Sequence, residues 1–197
     1  MTVETKRIKL RLDFSFFAFV TLMLLTSERE IVFVCLASSF FHEIGHLSLL
    51  YFFGEKKLNL TFAFFGMRIE RESVSSLSYK KEAIVSLGGV AVNFLLSALF
   101  FCIFKLNLQP IFLVGTFVNI FIASLNLIPA QMLDSWNFLR YILLVYYDEE
   151  KTLRVLEKVS NTAVLLFCAF SVFYTAFEKV NLSLIAVCVY LIVLNFK

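Results

Sequence analysis

The sequence predicts an all-α polytopic membrane protein: six transmembrane helices, with a short membrane-associated β-hairpin or strand between the second and third. Three observations carry this expectation. Of 197 residues, 60% are hydrophobic and 17% charged, whereas soluble domains average about 45–50% apolar and about 25% charged. The mean hydropathy is +0.84, and the apolar residues come in runs too long for a globular core. Lys and Arg, finally, gather between alternate runs. The same arithmetic excludes other classes. Cys35, Cys102, Cys168 and Cys188 lie scattered in apolar stretches without CxxC spacing, so they read as small hydrophobes and not as a disulfide framework. Twenty-five Phe and only two Pro argue against disorder. A net charge of +3 offers no basis for a nucleic-acid partner.

A hydrocarbon core of about 30 Å takes roughly 20 apolar residues per helix. The first run, 13–27, is short and ends against Ser27-Glu28-Arg29-Glu30. KRIKLRL precedes it as in a secretory signal, but no small-x-small cleavage site follows. Further spans occupy 31–53, 83–104, 110–147, 159–177 and 181–196, the fourth broken at Pro129. With a cytoplasmic N-terminus, 15 of the 18 Lys and Arg fall inside, leaving only Arg29, Lys105 and Lys179 outside. Both termini are therefore expected in the cytoplasm, in a bacterial plasma membrane. Between the second and third spans, Leu58, Leu60, Phe62 and Phe64 alternate with Asn59, Thr61 and Ala63, the period of a strand, with a hairpin turn at Gly66. Residues 148–158 read as a short interfacial helix that links two spans.

Both histidines of the chain lie in one pentapeptide, His42-Glu43-Ile44-Gly45-His46. HExxH on a helix sets two imidazoles at i and i+4 on one face, where they share a zinc ion while the intervening Glu serves as general base toward water. Eleven residues precede His42 in its span and seven follow His46. Ionisable groups at that depth are costly and mark function by default. A catalytic zinc takes a third protein ligand. The acid that lies deep in another apolar run is Asp134, just after Pro129. Pro129 breaks the helix, and broken backbone at membrane depth is tolerated where it is buried in protein or lines a cavity.

HExxH in a transmembrane helix, followed by Asn126-x-x-Pro129-x(3)-Leu133-Asp134, resembles the site-2 protease family of intramembrane zinc metalloproteases, peptidase M50. The resemblance covers 31–147. Gly88-Gly89-Val90-Ala91-Val92-Asn93 is similar to the family's small-residue-then-Asn signature in the third span. Six helices without a soluble appendage most resemble the stage IV sporulation protease branch, whose members cut a sigma-factor precursor. The resemblance implies Zn2+ bound by His42, His46 and Asp134, with Glu43 as base. It implies one membrane-embedded protease domain, 1–197, with a core at 31–147 and accessory helices at 13–27, 159–177 and 181–196. The implied partners are the lipid bilayer, a membrane-associated protein substrate (a sigma-factor precursor or anti-sigma factor) and a membrane regulatory protein.

Asn93 and Asn126 are candidates to orient a ligand or contact substrate, and Asn119 reads as plain helix-to-helix hydrogen bonding. Phe62 and Phe64 belong to the strand that would hold unwound substrate, whose freed amides would pair with an edge at 58–65. One residue departs from the family pattern: Ser135 stands where L-D-G is usual. A side chain there would strain a left-handed turn or crowd the metal. That departure supports the alternative reading, a catalytically weak or inactive member that binds transmembrane segments as a chaperone or sequestering factor. A His2Asp metal transporter is a third reading, and it requires ionisable residues along a path that the other spans do not supply.

Overall fold

In the computed structural model, residues 2–4, 8–12, 17, 20, 21, 23–25, 28–55, 58–63, 66–71, 77–177 and 182–195 are described. Of the run expected to span at 13–27, Phe17, Val20, Thr21, Met23, Leu24 and Leu25 fall within them, and all six are helical. The other residues of that run lie outside.

The HExxH run forms one uninterrupted helix, α1 (Arg29–Phe52). Its 24 residues, at 1.5 Å each, measure about 36 Å, enough to cross the hydrocarbon. Gly54 ends it in the left-handed conformation, φ 98°. There the Gly54 N–H donates to Tyr51 O at 3.0 Å and the Glu55 N–H to Leu50 O at 3.0 Å, taking up carbonyls the helix end leaves over. After the strand region come α2 (Tyr79–Ser86), α3 (Gly88–Asn107), α4 (Pro110–Asn126), α5 (Asp134–Leu144), α6 (Glu149–Phe177) and α7 (Leu182–Asn195). Among the described residues, three helical runs are long and apolar enough to cross a membrane: Arg29–Phe52, Tyr79–Asn107 and Glu149–Thr175. Pro110–Asn126 and Leu184–Val193 are apolar but shorter. Large side chains such as Phe33, Leu95 and Phe117 stand exposed on these helices, as lipid-facing positions do.

The broken fourth span is α4, an irregular stretch over 127–133, and α5. Pro129 has no N–H to continue α4, which closes with Leu127 donating to Ser124 O and Ile128 to Leu125 O. The interfacial helix expected at 148–158 is not a separate element. It forms the first turns of α6, because 149–177 holds no Gly or Pro that would end a helix.

Four strands, β1 (Thr2–Glu4), β2 (Ile8–Leu12), β3 (Leu58–Ala63) and β4 (Gly66–Arg71), form one sheet in that order. β1 and β2 run antiparallel, β2 and β3 parallel (Leu10 opposite Leu60), and β3 and β4 antiparallel (Leu60 opposite Ile69). This corrects the expectation that 58–65 offers a free edge. The basic N-terminal segment supplies β2, which occupies the second side of β3, so among the described residues the open edges belong to β1 and β4.

The chain divides into two compact units. The first comprises Met1–Ser78 and Gly88–Ala123, with α1 packed on α3. Gly45 of α1 and Gly88 of α3 let the backbones meet: a Cβ on Gly88 would stand 2.8 Å from the Gly45 carbonyl oxygen. The second comprises Tyr79–Leu87 and Ser124–Lys197. In it α5 packs on α2 and α6, while Ala130, Leu133, Val164 and Leu191 form a buried apolar cluster.

Candidate metal centre

In the first unit, the buried face of α1 carries Ser38, His42, Gly45 and His46. Spacings of four put Ser38, His42 and His46 one above another. The two imidazoles are buried, and their Nε2 atoms lie 3.3 Å apart. Two nitrogens bound to one tetrahedral zinc at about 2.0–2.1 Å stand about 3.3–3.4 Å from each other, so the pair is set for a shared ion. Gly89 on α3 leaves open room beside the pair. A Cβ there would lie 2.5 Å from His42 Cε1, His42 Nε2 and His46 Nε2 alike. The side chain that Gly89 lacks would fill the space over the two Nε2 atoms. Glu43, between the histidines on α1, is half-buried.

Asn93, one turn beyond Gly89 on α3, is fully buried, and its Oδ1 lies 2.5 Å from His42 Nδ1. A contact of this kind would orient an imidazole that holds a metal. Asn93 in turn donates to Asn119 Oδ1 on α4 at 2.7 Å. Plain inter-helix bonding was the expectation for Asn119, and its connection to His42 was missed. The available signal was a stripe at spacing four, Gly115, Asn119 and Ala123, along an otherwise apolar helix.

In the second unit, Leu133 is extended (φ −87°, ψ 162°) and Asp134 opens α5. Among the described residues, the non-glycine positions with positive φ are Leu108 and Met132. Met132, at φ 68°, turns the chain into Leu133 and Asp134. Ser135 has no such conformation and sits buried in the first turn of α5, where its hydroxyl donates to Ile128 O at 2.6 Å. The Ala130 N–H donates to the same oxygen at 2.8 Å. The strain expected of a side chain at 135 is thus absent: Ser135 ties α5 to the carbonyl that the Pro129 break leaves over.

His42 and His46 of the first unit and Asp134 of the second are residues that could hold a metal ion. Two imidazoles and a carboxylate suit zinc and leave one of four positions open. The remaining sequence candidates are placed less tightly. Asn126 ends α4 and is half-buried. Phe62 lies in β3 with its side chain outside the described residues, and Phe64 lies outside them altogether.

No family model matches the sequence, and no curated protein matches it. Among solved structures, the chain is similar to the site-2 protease from Methanocaldococcus jannaschii, with a TM-score of 0.66 at 18% sequence identity over 99% of this chain and 93% of that one. At that identity the likeness is one of fold.

Proposed function

We propose that this chain is an intramembrane zinc metalloprotease that hydrolyses a peptide bond within or near a transmembrane segment of a membrane-associated substrate. The observation that carries the reading is the pair of imidazole nitrogens 3.3 Å apart beside the room left at Gly89, with Asp134 in the same candidate group. The site-2 protease likeness supports it.

His42, His46 and Asp134 would hold the zinc. When bound, zinc supplies Lewis acidity, which polarises a carbonyl and makes a water more acidic. Glu43, carried on α1 between the two histidines, takes the proton of the attacking water and delivers it to the leaving amine. Asn93 keeps the His42 ring in one orientation throughout. A transmembrane substrate helix satisfies its own amides, so it must unwind before attack. β4, an open edge of the sheet among the described residues, offers replacement hydrogen bonds for the unwound segment.

We place both termini in the cytoplasm, in a bacterial plasma membrane, with the distribution of basic segments as support for the orientation. The parallel pairing of β2 with β3 fits residues 8–12 and 58–63 lying on one side of the bilayer. The bilayer and a membrane-associated substrate follow as partners, with a membrane regulatory protein controlling access. A role in sporulation rests on the sequence resemblance alone. The alternative of an inactive segment-binding member gains nothing from Ser135, whose hydroxyl is accommodated.

The test is cleavage of a reporter with a single transmembrane segment, co-reconstituted in liposomes with wild type or Glu43→Gln. The wild type cleaves, and Glu43→Gln keeps its zinc while the rate falls by about 10²–10⁴-fold, the usual worth of a general base. Equal cleavage by the variant overturns the role of Glu43. Zinc-loaded wild type that cleaves no segment favours the binding-protein alternative.

A further inference from the structure

We infer that Asn119, acting through Asn93, fixes the proton of His42 on Nδ1 and so keeps Nε2 open for metal, which makes Asn119 a positioning residue. The inference rests on the metal reading above for its purpose, but the hydrogen-bond geometry that carries it requires no metal.

Four side chains form a directed chain, and two backbone carbonyls set its direction. Asn119 is fully buried on α4. One end of its amide faces the Gly115 carbonyl oxygen at 2.8 Å and the Ser38 hydroxyl at 2.9 Å. A carbonyl oxygen accepts and never donates, so the atom facing Gly115 is the NH2 group. Asn119 Oδ1 must then be the atom facing Asn93, 2.7 Å away, and it accepts from Asn93 Nδ2. That same Nδ2 points at a second acceptor-only group, the Ser38 carbonyl, at 3.4 Å. Asn93 is left with Oδ1 toward His42 Nδ1, at 2.5 Å. An oxygen there accepts, so the imidazole carries its hydrogen on Nδ1 and the lone pair of Nε2 faces His46 Nε2.

Turning either amide over breaks the chain. A reversed Asn93 sets oxygen against Asn119 Oδ1 and against the Ser38 carbonyl. A reversed Asn119 sets oxygen against the Gly115 carbonyl. Without Asn119, the acceptor-only group left to Asn93 among the described residues is the Ser38 carbonyl at 3.4 Å, since His42 Nδ1 can meet either end of the amide by changing tautomer. Asn93 is then free to present NH2 to Nδ1, which moves the imidazole hydrogen to Nε2, the nitrogen a metal needs.

The chain has two histidines, so 15N-histidine labelling yields two imidazoles, and a His46→Gln sample assigns them. Spectra of the metal-free, full-length protein in detergent, at a pH where imidazole is neutral, report the tautomer. The expected result is His42 as Nδ1–H in wild type. In Asn119→Leu we expect a mixture or the Nε2–H form, together with a zinc Kd weaker by about 10–100-fold, the usual cost of losing an outer-sphere contact. Asn195→Leu is the control. Asn195 is another buried membrane amide, bonded to Ser160 and Asn161, and its loss should move neither readout. Nε2–H on His42 in wild type overturns the inference without any variant, so a failure of Asn119→Leu to fold does not shield it. An unchanged tautomer and unchanged zinc affinity in folded Asn119→Leu overturn it too, as does Asn195→Leu shifting both as much. Wild type that shows Nδ1–H but takes up no zinc refutes the metal reading and leaves the relay standing.

Discussion

Replacing Gly89 by Ala separates the metal centre from the fold. The added Cβ would lie 2.5 Å from His42 Cε1, His42 Nε2 and His46 Nε2, where ordinary contact begins at 3.4 Å, so the ligands must retreat by about 0.9 Å. Metal–ligand distances tolerate deviations of about 0.2 Å. Both imidazoles cannot withdraw that far and still share one ion, so zinc affinity should fall by about 100-fold or more, beyond the roughly 10–100-fold typical of an outer-sphere loss. The helix itself should benefit, since Ala is favoured over Gly by about 0.8–1 kcal/mol in a helix interior. The near atoms are side chains that can swing aside. The assay is zinc per chain by atomic emission, with thermal unfolding in detergent on the same samples. Folded Gly89→Ala that holds zinc as tightly as wild type would refute the placement of the metal beside Gly89.

Gly45→Ala should behave oppositely. Its Cβ would meet the Gly88 carbonyl carbon at 2.7 Å, and backbone cannot rotate away, so thermal unfolding should show a loss of about 1–3 kcal/mol. Ser135→Gly should destabilise by about 1–2 kcal/mol, through loss of the hydroxyl bond to Ile128 O and the added freedom of glycine. Zinc uptake should not improve, and a tighter-binding variant would restore the view that Ser135 crowds the site. Thr152→Val should stabilise by about 1 kcal/mol, because among the described residues the buried Thr152 hydroxyl has no hydrogen-bond partner. Denaturant unfolding checks it, and a less stable variant would contradict it.

The strongest signals in the sequence came from residues that are costly at membrane depth. His42 and His46 stand out because lipid-embedded imidazoles demand a reason, and Asp134 because a carboxylate and a proline interrupt one apolar run. Asn119 was passed over because a single amide in a membrane helix is ordinary. Its meaning depends on which helices face each other, and sequence does not state that. Placed side by side, the stripes at spacing four do carry it: Ser38, His42 and His46 on α1, Gly89, Asn93 and Ser97 on α3, Gly115 and Asn119 on α4. The pairing of β2 with β3 was hidden for a related reason. Residues 8–12 read as a basic flank, and strand pairing across 45 intervening residues leaves no local pattern. Nor was the first part of α6 legible as one helix with the span that follows, because a change from charged to apolar composition alters what surrounds a helix without interrupting its backbone hydrogen bonds.

The central claim is that His42, His46 and Asp134 hold one metal ion. Zinc content of detergent-purified wild type and Asp134→Ala, after dialysis against a weak chelator, tests it most directly and needs no substrate. Close to one zinc per chain is expected in wild type, with clear loss in the folded variant. Wild type without zinc, or a variant that retains it fully, would contradict a metal site built from these three residues.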